Sequence, residues 1–131
     1  MYEAIDHVGI AVANLEEALA AWGRLGLGEP VIEEIPDQGV RVAMLPVGTG
    51  KIELLEPLRP DSPVGRFLER RGPGLHHMAL RVDDLEAALA AAEARGLELI
   101  DRRPRTGAGG SRIAFLHPRA TGGTLVELCQ R

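Results

Sequence analysis

A recognisable copy of Ile5-Asp6-His7-Val8-Gly9-Ile10 returns as Leu75-His76-His77-Met78-Ala79-Leu80, and this internal duplication constrains the fold more than any other feature of the chain. Between Val12–Leu27 and Val82–Leu97 the identities Val12/Val82, Leu15/Leu85, Glu16/Glu86, Ala18/Ala88, Leu19/Leu89, Ala20/Ala90, Ala21/Ala91, Gly26/Gly96 and Leu27/Leu97 all lie 70 residues apart, as do His7 and His77. Further on, Arg41-Val42-Ala43-Met44-Leu45 echoes Arg112-Ile113-Ala114-Phe115-Leu116 at a spacing of 71, and Ile52-Glu53-Leu54 echoes Val126-Glu127-Leu128 at 74. Solenoid repeats run to roughly 20–50 residues, so a period this long describes two halves of one domain. At 131 residues the chain has room for one such domain, with the halves expected to share a core.

Each half reads as a strand, a helix and three strands. Ala4 to Val12 alternates with period two, Val8, Ile10 and Val12 facing one way and His7, Gly9 and Ala11 the other. Asn14 caps a helix whose buried stripe is Leu15, Ala18, Leu19 and Trp22, and Gly26 ends it. Strands are expected at Pro30–Ile35, Val40–Leu45 and Lys51–Glu56, separated by the turn residues Pro36-Asp37-Gln38-Gly39 and Gly48-Thr49-Gly50. Pro57 to Gly74 forms a connector, with Ser62 capping a short helix, Pro63 in its first turn and Phe67-Leu68 as its docking face. The second half repeats the scheme: strand Leu75–Val82, a helix capped by Asp84 and ended by Gly96, then strands near Leu97–Asp101, Arg112–His117 and Thr124–Gln130. Between the first two of these lies Thr106-Gly107-Ala108-Gly109-Gly110, a loop that lets a ligand approach backbone amides closely.

The chemistry follows from the alternation. Glu53 and Glu127 each sit between aliphatic residues of a closing strand, facing away from them as His7 faces away from Val8 and Ile10. A carboxylate inside such a strand is costly to bury without a partner. If each set of strands curls into a trough, the duplication collects His7, Glu53, His77 and Glu127. Two imidazoles and two carboxylates suit an octahedral divalent cation that keeps open positions, as a Lewis-acid site requires. His76 aligns with Asp6 and falls on the other face, and His117 has no partner in the first half, so it touches substrate or closes a turn.

Charge and composition exclude other classes. A net charge of −4 argues against nucleic acid as a partner, and no apolar run approaches the ~20 residues of a membrane span. The absence of a signal-peptide pattern and the single cysteine, Cys129, point to a cytoplasmic protein, with Cys129 as a small buried hydrophobe. The sign of the charge is uneven, however: from Asp101 to Arg119 five arginines (102, 103, 105, 112 and 119) stand against one acid. That excess suits a phosphorylated or carboxylated ligand.

The segments Ile5–Val12, Asp37–Val40, Lys51–Leu58, Gly74–Ala79, Gly107–Gly110 with Phe115–Pro118, and Gly122–Leu128 together resemble the vicinal oxygen chelate, or glyoxalase-like, superfamily. Its α+β fold pairs tandem βαβββ modules into a metal-holding cup. The resemblance is closest to the methylmalonyl-CoA epimerase family and runs almost end to end, implying a single domain over 1–131 with module one at about 1–57, a connector at 58–74 and module two at 75–131. It implies interconversion of (R)- and (S)-methylmalonyl-CoA by proton transfer through a metal-stabilised enolate. The implied cofactor is one divalent cation per chain, Co2+ or Mn2+, on His7, Glu53, His77 and Glu127. Glu53 and Glu127 are the candidate proton-transfer groups, and Gln38, Gly109, Gly110, Ser111, Arg112 and His117 the candidate contacts to an acyl-CoA substrate, in a homodimer. Some members place a second catalytic glutamate where this chain has Val42, which leaves Asp37, Glu33 and Glu34 as further carboxylates to weigh. A glyoxalase I-like lyase or isomerase and a non-catalytic small-molecule binder of the same fold are the alternatives.

Overall fold

The alternation of the first segment is realised as β1 (Tyr2–Ala11), followed by α1 (Leu15–Gly23), β2 (Val31–Ile35), β3 (Val40–Val47) and β4 (Gly50–Pro57). After the connecting helix α2 (Pro63–Arg71) come β5 (Gly74–Val82), α3 (Leu85–Ala94), β6 (Arg105–Thr106), β7 (Arg112–Leu116) and β8 (Val126–Gln130). The computed structural model describes residues 1–131, whose contacts fall into two units, His7–His76 and Met1–Asp6 with His77–Arg131.

In the unit His7–His76 the strand order is β2-β3-β4-β1, with β1 and β4 parallel and the two other pairs antiparallel. One face of this sheet buries Val12, Ala43, Leu45 and Leu54 against Leu15 of α1, with Ala18, Leu19 and Trp22 packed around them. Asn14 caps α1 as expected, accepting from the Glu17 amide at 2.9 Å. A second group at the same helix start is tertiary: Glu56 at the end of β4 accepts from the Leu15 amide at 2.7 Å. The α2 helix docks through Val64, which is buried, while Phe67 and Leu68, expected to carry that face, are half-buried beside it. Phe67 instead packs edge-on against His76, ring centroids 5.0 Å apart.

In the other unit the order is β5-β8-β7-β6, with β5 and β8 parallel. The helix-facing side again holds the larger core: Val82, Leu85, Ala88, Leu89, Ala92, Ala114, Leu116, Val126 and Leu128. The Leu85 amide at the start of α3 donates to Gln130 Oε1 at 2.8 Å, reproducing with the equivalent residue of β8 what Glu56 does for α1. The expected strand at Leu97–Asp101 is not formed. Leu97 and Leu99 pack against the α3 core and Leu99 makes one isolated bridge to Leu116, but the amides of Ile100 and Asp101 both converge on the Phe115 carbonyl, which breaks the ladder. Pro104, lacking an N–H, then confines pairing to Arg105 and Thr106.

Candidate functional site

Register explains why a histidine and a glutamate meet within each unit. Gly9 lies opposite Glu53 in the β1–β4 pair, and its repeat equivalent Ala79 lies opposite Glu127 in the β5–β8 pair. A residue with little or no side chain at that point leaves the diagonal open, so the histidine two positions earlier reaches the glutamate. His7 Nε2 stands 3.7 Å from Glu53 Oε1, and His77 Nε2 stands 3.5 Å from Glu127 Oε2. All four side chains are at most 8% exposed. The separations lie at or beyond the limit of a good hydrogen bond. They are near the roughly 3.0–3.5 Å expected of neighbouring ligand atoms that each sit about 2.1 Å from one cation. Imidazole nitrogen plus carboxylate oxygen is also the donor chemistry of a borderline-to-hard divalent metal. The residues therefore fit such an ion.

The surroundings of each pair are set by alternation. Phe115 stands edge-on to His77 at 5.5 Å between centroids and shares that face with Ala79, Ile113 and Cys129. Cys129 is fully buried, and burial pushes its thiol up to about 12, so it is the buried small hydrophobe expected. In the first unit Val42, buried to 1% exposure, faces the same side as Glu53 because it is registered with Leu55. Glu33 sits directly across from Val42 and shares that face, half-buried; Glu34 is registered with Arg41 on the helix side, and Asp37 is exposed on a one-turn 3-10 helix, Pro36–Gln38. Of the three further carboxylates, only Glu33 therefore lies on the strand face that carries the His7–Glu53 pair.

The candidate substrate contacts fall on two turns that occupy equivalent places before β3 and β7. Gln38 ends the turn Pro36–Gln38, after which Gly39 is left-handed at φ 66°. Gly109 and Gly110, with φ of 66° and 72°, form the turn Ala108–Gly110, closed by buried Ser111, whose Oγ donates to the Ala108 carbonyl at 2.9 Å. Arg112 is directed elsewhere: it shares a side of β7 with the core residues Ala114 and Leu116, facing α3, where it pairs with Glu86. Arg41 does the same with Glu16 on α1. The repeat spacings 70 and 71 contained this pairing, and it shows that the arginine excess is largely matched by carboxylates of α3 and the residues after it. Arg102 meets Glu93 at 3.4 Å, Arg105 meets Asp101 at 3.2 Å, and Arg119 meets Glu98 at 2.8 Å. His117 closes a turn, its Nδ1 accepting from the Arg119 amide at 3.0 Å.

One cluster has no sequence-local signal at all. Asp6, fully buried, receives the Nε of Arg81 at 2.9 Å and a two-pronged contact from Arg131, Nη2 to Oδ1 at 2.7 Å and Nε to Oδ2 at 3.1 Å. This carboxylate holds the Arg131 guanidinium above its ordinary value. The partners lie 75 and 125 residues away along the chain.

Comparison with known proteins adds three findings. Residues 6–115 match the model of the Glyoxalase/Bleomycin resistance protein/Dioxygenase superfamily. Among relatives, the chain is 46% identical over 127 residues to the uncharacterized protein YqjC of Bacillus subtilis, covering 96% of this chain and 91% of that one, and 39% identical over 129 residues to the mitochondrial methylmalonyl-CoA epimerase of Homo sapiens, covering 96% and 73%. Among solved structures, a methylmalonyl-CoA epimerase in complex with methylmalonyl-CoA and NH4+ superposes with a TM-score of 0.96 at 37% identity, over 99% of this chain and 95% of that one.

Proposed function

Because this chain belongs to the Glyoxalase/Bleomycin resistance protein/Dioxygenase superfamily, we propose that its two His–Glu pairs, one from each βαβββ module, hold one divalent cation at which a methylmalonyl-CoA substrate is epimerised. The protein is an isomerase, interconverting (R)- and (S)-methylmalonyl-CoA. The observation that carries the reading is the repeated pair itself: the same two residue types, buried at the same 3.5–3.7 Å separation, opposite the same small residue in both modules.

When bound, the cation supplies Lewis-acid stabilisation of the negative charge that develops on the thioester oxygen. Co2+ or Mn2+ is proposed, one per chain, with His7, Glu53, His77 and Glu127 as ligands. The chain's own residues move the proton. Epimerisation breaks the C–H bond between the thioester and the carboxylate, leaves the electron pair delocalised into the thioester, and returns a proton to the opposite face. Glu53 and Glu127 are the proposed carriers. Val42, a buried aliphatic residue, cannot serve. Gln38, Gly109, Gly110 and Ser111 are proposed to orient the acyl end through the two turns. Arg112 and His117, committed to Glu86 and to the Arg119 amide, are proposed as contacts of the coenzyme A tail at the surface.

No helix is long and apolar enough to cross a membrane. The proposal extends to a cytoplasmic homodimer: buried, unpaired Cys129 suits a reducing compartment, and Tyr2 and Ile5, more than half exposed, offer apolar surface to a second copy. Purified protein given one epimer of methylmalonyl-CoA should form the other, lose the activity on chelation and regain it with Co2+ or Mn2+. Turnover of a thiohemiacetal in its place would assign a glyoxalase-type reaction, and binding without turnover would assign a carrier.

A further inference from the structure

The glycine turn before β7 is held by a residue far from it in sequence. The Ala108 carbonyl accepts three times: from the Ser111 amide at 3.3 Å, from Ser111 Oγ at 2.9 Å and from Arg131 Nη1 at 3.1 Å. Arg131 is itself fixed by the fork on buried Asp6, so the order runs from a buried carboxylate through a planar guanidinium to the turn's backbone. By alternation along β8, Arg131 projects from the same side as Glu127 and Cys129. The fit is close, since a Cβ built on Gly109 would come within 3.3 Å of Arg131 Nη1.

In the first module an arginine also lies over the turn glycine, though it pairs with exposed Asp61. A Cβ on Gly39 would come within 3.2 Å of Arg59 Nη1 and 2.8 Å of Ser62 Cβ, while the Gly39 carbonyl accepts from the Leu58 amide at 2.8 Å. Each of the two turns assigned to substrate thus has a guanidinium pressed over its glycine. In the first the arginine arrives on the connector after β4; in the second it directly follows β8. Arg81, on β5, binds the same Asp6 at 2.9 Å and so offers a comparison for the loss of an Asp6 partner.

We propose that Arg131, anchored by Asp6, is a positioning residue for the epimerase reaction, holding Ala108–Ser111 in the conformation that presents this turn to the acyl-CoA. The proposal rests on the reading of this turn as a substrate contact. A mobile turn still forms the contact but must be ordered on each encounter, so its loss weakens substrate binding more than it slows proton transfer.

The test compares Arg131→Gln, Arg131→Lys and Arg81→Gln in the metal-replete protein, by methylmalonyl-CoA kinetics and by amide hydrogen exchange. Arg131→Gln is expected to raise KM about tenfold with kcat within about twofold. Arg131→Lys, which keeps the charge but cannot fork onto Asp6 while reaching Ala108, should lie between. Arg81→Gln should leave KM at the parental value even where its melting temperature falls as far. In the exchange experiment the amides of Gly107 and Ser111, which donate to the Ser111 and Ala108 carbonyls, should lose protection in Arg131→Gln and keep it in Arg81→Gln. Parental KM for Arg131→Gln, or an equal rise for Arg81→Gln, overturns the positioning role. Should the parent protein fail to turn over methylmalonyl-CoA, the functional reading fails separately, and exchange alone judges the clamp: unchanged protection of the Gly107 and Ser111 amides in Arg131→Gln overturns it.

Discussion

Removing the proposed cation should destabilise the fold, and the size of the effect follows from how deeply the proposed ligands are buried. The side chains of His7 and Glu53 are 3% and 8% exposed, and those of His77 and Glu127 are 3% and 5% exposed. Carboxylates this far from water cost several kcal/mol each unless compensated, and a cation that binds only the folded chain supplies that compensation. At free metal of 100 times Kd the added stability is about 2.7 kcal/mol. A chain of this size gains roughly 3–5 °C in Tm per kcal/mol, so the metal-loaded protein should melt about 10 °C above the chelated one. Scanning calorimetry against EDTA and then against added Co2+ or Mn2+ measures this directly. His7→Ala and His77→Ala should each lose bound metal and most of the shift while retaining the fold, because neither imidazole belongs to the helix-facing aliphatic side. Glu127→Gln should bind metal more weakly and show a smaller shift, yet its chelated form should melt above the chelated parent, since it replaces a buried carboxylate with a neutral amide of the same shape. A parental shift in a variant lacking both histidines would refute the assignment, and so would a chelated Tm equal to the loaded one.

Three further outcomes are expected. With metal confirmed in place, Glu53→Gln and Glu127→Gln should each lose epimerisation while one still exchanges the substrate proton with deuterium from a single epimer; parental epimerisation in Glu53→Gln would make Glu53 a ligand only and direct attention to Glu33 on the same face. Among the arginines, Arg103→Ala should raise KM for the CoA ester more than Arg112→Ala, because Arg112 is already committed to Glu86 and both are remote from the chemical step, so kcat should hold in each; KM at the parental value in both would return the pair to ordinary surface. Cys129 should resist thiol reagents at pH 8 in the native protein, where a thiol pushed up to about 12 is only about one part in ten thousand thiolate, and should react fully after denaturation; rapid native labelling would contradict its burial.

Much of the arrangement is a matter of short-range pattern, and that part is legible in the chain itself. The 70-residue repeat defines two βαβββ modules, Asn14 and Asp84 announce their helices, and period-two alternation puts His7, Glu53, His77 and Glu127 opposite the aliphatic faces. Even the open diagonal was written there, as Gly9 and Ala79 two positions after the histidines. The chain is less legible where a local cue competes with a tertiary one. Leu97–Asp101 has the composition of a strand, but two of its amides share the Phe115 carbonyl and Pro104 cuts the pairing to Arg105–Thr106. Arg112 has the charge for a ligand, but which side of β7 it takes, and hence its bond to Glu86, depends on where α3 packs. Asp6 aligns with His76 on the face opposite the paired histidines, and nothing in the alignment marks it as a buried charge. It is buried because Arg81 and Arg131 converge on it from 75 and 125 residues away, and only the folded order of the strands brings charges so distant in sequence within 3 Å of one another. A chain specifies periodicity and caps through neighbours three or four residues apart; long-range ion pairs depend on which strands become neighbours, and no local interaction encodes that.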